Sequence, residues 1–188
     1  MTVRASDCVG LWRRTLLVEA DGARDTGTDV TWLQGVTAYV DSRGFAGTLR
    51  DEGGVFEWRR TIDLTPATEP DIGEMRWEQG TLVETGVHAD YVEHWARDDA
   101  ERRPCWAVFL TAPDGGPGLL LRVGARFGFA GAGAVVMGEV GGREWDGIDA
   151  AADTVRANGV LWTVDRLSLI HISEPTRLSL VSRMPSSA

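Results

Sequence analysis

The sequence predicts an all-β protein built as one antiparallel barrel with at most one short helix. Three observations carry this. Short runs rich in Val, Thr, Leu, Phe and Trp recur along the chain, the composition of half-buried strands. Gly, Asp and Pro clusters interrupt them regularly, as turns do. Helical periodicity is almost absent, and evenly spaced strands without helices point to a sandwich or a barrel.

In chain order, strands are expected near 9–19, 29–34, 36–43, 54–63, 73–78, 81–86, 89–97, 104–112, 118–124, 126–130, 134–140 and 159–166. Turn signals stand at Asp21-Gly22, Glu52-Gly53-Gly54, Gln79-Gly80, Asp114-Gly115-Gly116 and Asn158-Gly159. The last pair suits a tight hairpin because both residues tolerate positive φ. Only residues 145–156, with Ala150, Ala151 and Ala152 in a row, read as helical. No internal repeat and no second domain is visible. A meander closed on itself is expected, because closure removes exposed edges.

The barrel domain is expected to occupy residues 1–166. Ser occurs only at Ser6 and Ser42 there but six times in residues 167–188. Lys is absent and Asn158 is the sole Asn of this part, a bias that fits a GC-rich genome. Residues 167–177, LSLIHISEPTR, closely resemble the in-frame translation of a common transposase sequencing adapter. Residues 167–188 are therefore read as a non-native tail and kept out of fold reasoning, His171 and Glu174 included. Leu167, Leu169 and Ile170 could extend the last strand by chance, and Pro175 should stop it, since it lacks the N–H a ladder needs. Deletion of residues 175–188 is expected to leave Tm within about a degree, as for unpacked surface segments. A loss of several degrees in a thermal melt would make the tail part of the fold.

Residues 1–166 hold 17 basic and 27 acidic residues, a formal charge of −10. Nucleic-acid and anionic-membrane partners need clustered positive charge, so neither is expected. No apolar run approaches the roughly 20 residues of a membrane span, and the first residues, MTVRASDCVG, lack the apolar stretch of a signal peptide. Cys8 and Cys105 form no CxxC pattern. A cytoplasmic protein with two free thiols follows, with a single disulfide as the alternative.

The chemistry resides in the strand faces. Eight Trp residues are many for this length, and several stand two positions from a polar residue: Trp12 with Arg14, Trp32 with Gln34, Trp58 with Arg60, Trp95 with Glu93. Tyr39, Asp41 and Arg43 share one parity, as do Tyr91, Glu93 and Trp95. Residues i and i+2 of a strand face the same side, so these faces mix aromatic and ionisable groups. A partly hydrated cavity favours such a mixture; outward faces with Trp covered by Arg stems would produce it too. Parity alone does not say which face is inside.

Glu84 and Glu93 should lie on adjacent strands. They could share a proton as acid and base, or form ion pairs with Arg43 or Arg60. His88 and His94 would be about 20 Å apart along a strand, too far for one metal, and no metal is expected. Gly128, Gly131 and Gly133 form no phosphate loop, which needs a Lys. Absence of Lys also excludes Schiff-base chemistry and pyridoxal phosphate in its usual attachment. No GxSxG elbow is present, so a Ser-His-Asp hydrolase is not expected, nor is any cofactor.

The segments GLWRRTLL (10–17), VTWLQ (30–34), YVDSR (39–43), FEWRRTID (56–63), WEQGTLVETGVHADYVEHW (77–95) and NGVLWTVDR (158–166) together resemble a family of calycin-like β proteins. It is named after a fungal protein found bound to a casein kinase and has shorter bacterial relatives. Residues 77–95 and 158–164 are similar to the fungal members, the earlier segments to the bacterial branch. The resemblance implies a calycin/lipocalin-like barrel in a bacterial protein. It implies no settled activity, cofactor or catalytic residue. The final strand runs straight into the adapter-like residues, so incomplete closure is a further expectation.

The leading functional expectation is a cytoplasmic barrel that binds a small, partly apolar ligand. Its lining would be Trp32, Gln34, Tyr39, Asp41, Arg43, Arg60, Glu84, Tyr91, Glu93 and Trp95. Arg43 or Arg60 would hold an acidic group, Gln34 and Tyr39 would orient it, and Trp rings would give apolar contact. Two alternatives stay open. One is a cofactor-independent isomerase, cyclase or lyase using Glu84, Glu93, Asp41, Tyr91 and His94. The other is a protein-interaction module whose barrel is filled.

Overall fold

The computed structural model describes residues 2–169, and the expected tail from residue 170 onward lies outside them. The strands are β1 (Gly10–Val18), β2 (Arg24–Asp25), β3 (Thr31–Gln34), β4 (Ala38–Asp41), β5 (Phe45–Glu52), β6 (Val55–Asp63), β7 (Ile72–Glu78) and β8 (Thr81–Gly86). They continue with β9 (Val92–Arg97), β10 (Cys105–Thr111), β11 (Pro117–Val123), β12 (Arg126–Gly131), β13 (Ala134–Glu139), β14 (Asp149–Ala150), β15 (Thr154–Ala157) and β16 (Val160–Leu169). Two single 3-10 turns, Ala5–Cys8 and Trp145–Gly147, complete the list of elements. No helix among the described residues is long and apolar enough to cross a membrane.

The first nine strands form an antiparallel meander in which β9 pairs back onto β1. The two-residue β2 merely extends the row of β3 along β1, so the result is a closed eight-stranded barrel. Residues after 104 do not join it. They form a seven-stranded antiparallel sheet in the order β13-β12-β11-β10-β16-β15-β14. Counting directions through these antiparallel pairs, β13 and β14 run the same way. The connection between them must therefore travel back along the sheet. Its Val140, Trp145 and Ile148 pack against the sheet's own core cluster, with Trp145 edge-on to Phe127 at 5.0 Å. An irregular segment thus covers part of the second sheet's core.

Three apolar clusters follow from period-2 alternation. Trp12, Trp32, Tyr39, Phe56, Trp58, Leu82 and Trp95 point into the barrel. The opposite parity, with Leu33, Val40, Ala46 and Ile62, meets Ala107, Leu119 and Leu121 of the second sheet. That sheet's other face gathers Val108, Leu120, Phe129 and Trp162. Three glycines are required by contact. A Cβ at Gly118 or Gly131 would stand 2.7 Å or 2.6 Å from the Trp162 ring, and one at Gly128 would stand 2.8 Å from Val40. Cys8 and Cys105 are free and buried; burial above all, then Asp7, pushes the Cys8 thiol up to about 12.

Several expectations are corrected. Residues 145–156 are not a helix but the 3-10 turn, β14 and the start of β15; pairing of Asp149 with Arg156 and of Ala150 with Val155 draws the Ala run into a hairpin. Strand β5 went unseen in the sequence, because Gly47 and the charged Arg50-Asp51-Glu52 hide its alternation. Gly47 sits at a bulge where a Cβ would stand 1.9 Å from the carbonyl oxygen of Arg59. The last strand does extend into the adapter-like residues: Leu167, Ser168 and Leu169 pair with Val108, Ala107 and Trp106, and Leu167 packs on the second sheet's core.

Candidate functional site

The interior of the closed barrel is apolar at one end and ionic at the other, and register places both halves. Cross-strand partners share a face. The pairs Trp12↔Trp32, Trp32↔Asp41, Gln34↔Tyr39, Asp41↔Phe45, Arg14↔Trp95 and Glu84↔Glu93 therefore all turn inward. Trp12, Trp32, Trp58 and Trp95 fill the middle, with Trp32 within 5.8 Å of each of the other three rings.

Of the ten expected lining residues, Trp32, Gln34, Tyr39, Asp41, Glu84, Glu93 and Trp95 are buried inside. Trp32 and Gln34 are committed to each other: Trp32 Nε1 donates to Gln34 Oε1 at 3.0 Å, and Gln34 Nε2 donates to the carbonyls of Gly35 and Ala38. Gln34 thus fixes the β3–β4 turn. Arg43, Arg60 and Tyr91 lie at the ionic end, partly exposed. His94 falls between two inward residues of β9, so it faces away from the interior, and His88 is exposed in the β8–β9 turn.

The ionic end is a connected network. Arg43 grips Asp41 through Nε at 3.0 Å and Nη2 at 2.9 Å, and reaches Glu93 Oε1 through Nη1 at 3.2 Å. The same Glu93 oxygen accepts from Arg14 Nη1 in a pair whose side chains are 8 % and 4 % exposed. Arg60 donates to Asp63 at 3.0 Å and to Asp71 at 2.6 Å. Burial alone would lower the Arg60 pKa; its bonds to Asp71 and Asp63 raise it on balance. Burial alone would lower Arg43 too; the attraction and hydrogen bond of Asp41, together with Glu93 and Glu84, raise it on balance. Each of these two guanidiniums already meets two carboxylates.

Glu84 differs: no guanidinium among the described residues touches it. Tyr91 Oη donates to its Oε1 at 2.7 Å and Trp95 Nε1 to its Oε2 at 3.2 Å. Burial first, then the facing Glu93, pushes its carboxyl up to about 8, although the Tyr91 hydrogen bond pulls the other way. Two glycines make the space. A Cβ on Gly73 would stand 2.9 Å from Glu84 Cγ, and one on Gly86 would stand 2.5 Å from the Tyr91 ring; the two glycines pair across β7 and β8. Gly73→Ala should therefore cost about 1–3 kcal/mol in urea denaturation through overpacking, with Glu84 displaced. An unchanged midpoint would show that the contact is slack.

The barrel wall is split beside this network. β6 pairs with β7 only over Val55–Glu57, and beyond that point only Trp58 N–H still bonds, to the Asp71 carbonyl at 2.9 Å. Residues 64–71 loop outward, leaving a cleft of about 390 Å³ lined by Trp58, Arg60, Asp63, Glu69 and Asp71, among others. Behind it, Phe45 receives the Arg60 guanidinium at 3.7 Å and the Tyr39 ring at 6.2 Å. Tyr39 Oη and Arg60 Nε are the two buried side-chain polar atoms among the described residues without a hydrogen-bond partner. Burial first, then Asp71, raises the Tyr39 pKa, which keeps the hydroxyl protonated.

Sequence reasoning missed Arg14 as a site residue although it is i+2 from Trp12, and missed Phe45 because its strand was not seen. Asp63, Asp71 and the two glycines carry no periodic signal. They act through a loop and through absent side chains.

No family model and no curated protein matches the chain. Among solved structures it is similar to an uncharacterized protein, YLR301w, from Saccharomyces cerevisiae. The TM-score is 0.56 and the identity 15%, over 84% of this chain and 98% of the yeast protein. At that identity the likeness is one of fold.

Proposed function

We propose that this protein binds a small molecule at the split wall of its first barrel. The observation that supports this most is the pair of unpartnered atoms, Tyr39 Oη and Arg60 Nε, behind the cleft. A buried polar group left unpaired costs about 1–3 kcal/mol, and such orphans call for an explanation. Ligand polar groups that accept from Arg60 Nε–H and exchange a hydrogen bond with the Tyr39 hydroxyl would remove both penalties. Trp58 and Phe45 supply apolar contact. Asp41, Arg43, Glu84, Tyr91, Glu93 and Trp95 form the surrounding shell, and Trp32 stiffens it from below. The central lumen, filled by Trp rings, is not the binding place.

We read the chain as a bacterial member of the calycin-like family and a cytoplasmic binder. The sequence resemblance, the barrel and the likeness to the yeast protein favour that reading. Native mass spectrometry of the protein purified from its host tests the binding. A bound species of small-molecule mass is expected, lost in the Tyr39→Phe/Arg60→Met variant. A bare polypeptide mass, identical in both, counts against it.

One observation favours a second reading. A carboxyl held near pH 8 beside a carboxylate is the usual outfit of proton-transfer catalysts, and Glu84, Glu93, Asp41 and Tyr91 are gathered here. His94, on the outer face, would take no part.

A further inference from the structure

The cleft in the split wall is lined by four carboxylates, Glu57, Asp63, Glu69 and Asp71, and by two guanidiniums, Arg59 and Arg60. Most of that charge cancels within the lining. Arg59 Nε donates to Glu57 Oε2 at 2.8 Å. Arg60 donates to Asp63 Oδ2 at 3.0 Å and to Asp71 Oδ2 at 2.6 Å. Asp63 Oδ1 accepts from the Thr65 N–H at 3.0 Å. Glu69 is exposed in the loop, where salt and water screen it. Among the described residues, Glu57 Oε1, Asp71 Oδ1 and both Glu69 oxygens accept no hydrogen bond. On the very guanidinium that holds Asp63 and Asp71, the Nε–H has no acceptor. The cleft therefore sets unfilled acceptors beside an unfilled donor, with apolar surface from Trp58, Pro66 and Pro70.

An anionic ligand would meet four carboxylates. A cationic amine would meet Arg59 and Arg60 and offer the Arg60 Nε–H nothing. Hydroxyl groups suit both halves, because each has one hydrogen to donate and two lone pairs to accept with.

We propose that the ligand is a neutral polyhydroxyl ring, a hexose or a cyclic polyol of the same size. This rests on the binding site proposed above and names the class that fits it. The ligand's hydroxyls donate to Asp71 Oδ1 and to the Glu69 carboxylate, and a hydroxyl oxygen accepts from the Arg60 Nε–H. Hydrogen bonds with ionised partners are the stronger kind. The Arg60 fork already holds Asp63 and Asp71 in place, so less side-chain ordering is left for binding to supply. The C–H face of the ring lies on the Trp58 and proline surface; an aromatic face is negative and favours C–H groups. The cleft's volume of about 390 Å³ is near the small end for ligand pockets, which suits one ring and not a chain of them.

Calorimetric titration of the full chain with D-glucose, D-galactose, D-mannose and myo-inositol tests the class. The amino derivative of each hexose adds a cation and the uronate adds an anion. Cyclohexylmethanol keeps a six-membered ring and one hydroxyl. At least one of the four neutral polyols is expected to bind with Kd at or below about 1 mM. The charged derivatives and cyclohexylmethanol should bind about tenfold more weakly, the worth of one hydrogen bond to a charged group. Asp71→Asn, which also loosens Arg60, should weaken the polyol by a similar factor. Glu69→Ala should weaken it too while leaving Tm unchanged, since Glu69 is exposed. If a charged derivative or cyclohexylmethanol binds as tightly as the neutral polyols, the polyol proposal is overturned while the binding site stands. The same holds if both variants keep full affinity. If no neutral polyol binds, the proposal is overturned, and native mass spectrometry decides the site separately: a species lost in the Tyr39→Phe/Arg60→Met variant keeps it.

Discussion

Glu84→Gln should make the protein more stable than the unsubstituted chain at pH 8 and above, and this difference should shrink on acidification. Glu84 in the folded protein is raised from its ordinary 4.5 to about 8. Between those values the folded chain holds a proton that the unfolded chain has released. Stability from this group is therefore fully present below about pH 4.5, falls as pH rises, and is lost once pH passes about 8. Each pH unit in the window is worth about 1.4 kcal/mol at most, so the total reaches a few kcal/mol. Gln cannot ionise and escapes the loss. It retains an oxygen for the Tyr91 hydroxyl but gives up one acceptor, so the Trp95 N–H loses its partner, at about 1 kcal/mol. That loss shows at every pH and does not alter the slope. Urea midpoints of both proteins at intervals from pH 4.5 to pH 9 measure the difference. Parallel curves across that range would mean that Glu84 is ionised throughout.

The second large effect concerns Arg14 and Glu93. Their side chains are almost fully buried, and desolvating two charges is repaid only while both are present. Glu93→Leu leaves the Arg14 guanidinium buried with only Thr28 Oγ1 at 3.0 Å and also frees Arg43 on one side. A loss of about 3–5 kcal/mol is expected. Arg14→Met should fall in the same range, softened by the remaining contact of Glu93 with Arg43. The double variant Arg14→Met/Glu93→Leu should recover much of the loss, since no lone charge remains. A double-mutant cycle in urea checks this. If the two single losses simply add, the pair is not a unit.

The closed barrel was legible because alternation survives in β1, β3, β6, β8 and β9, where aromatic and ionisable residues two apart mark one face. The same alternation could not tell inside from outside. That is decided by what the other face meets: Leu33, Val40 and Ala46 have a second sheet to cover them, and nothing in their own strands announces it. The division into a barrel and a second sheet was invisible for the same reason, since strands before and after residue 104 look alike. The ionic residues were found by parity, and the Arg43–Glu93 pair was among the pairings expected, but Arg14 and the loop partners were not. Asp71 sits in a loop after Pro70, and Gly73 and Gly86 act by having no side chain. Only a three-dimensional contact reveals such a role.

The most direct test of the central claim is a high-resolution crystal structure of the protein as purified, read at the split between β6 and the 64–71 loop. Non-protein density larger than a water molecule is expected in the cleft beside Trp58, within hydrogen-bond distance of Arg60 Nε and extending toward Tyr39 Oη. A structure in which those two atoms bond to protein groups, or share only a single water, would contradict it.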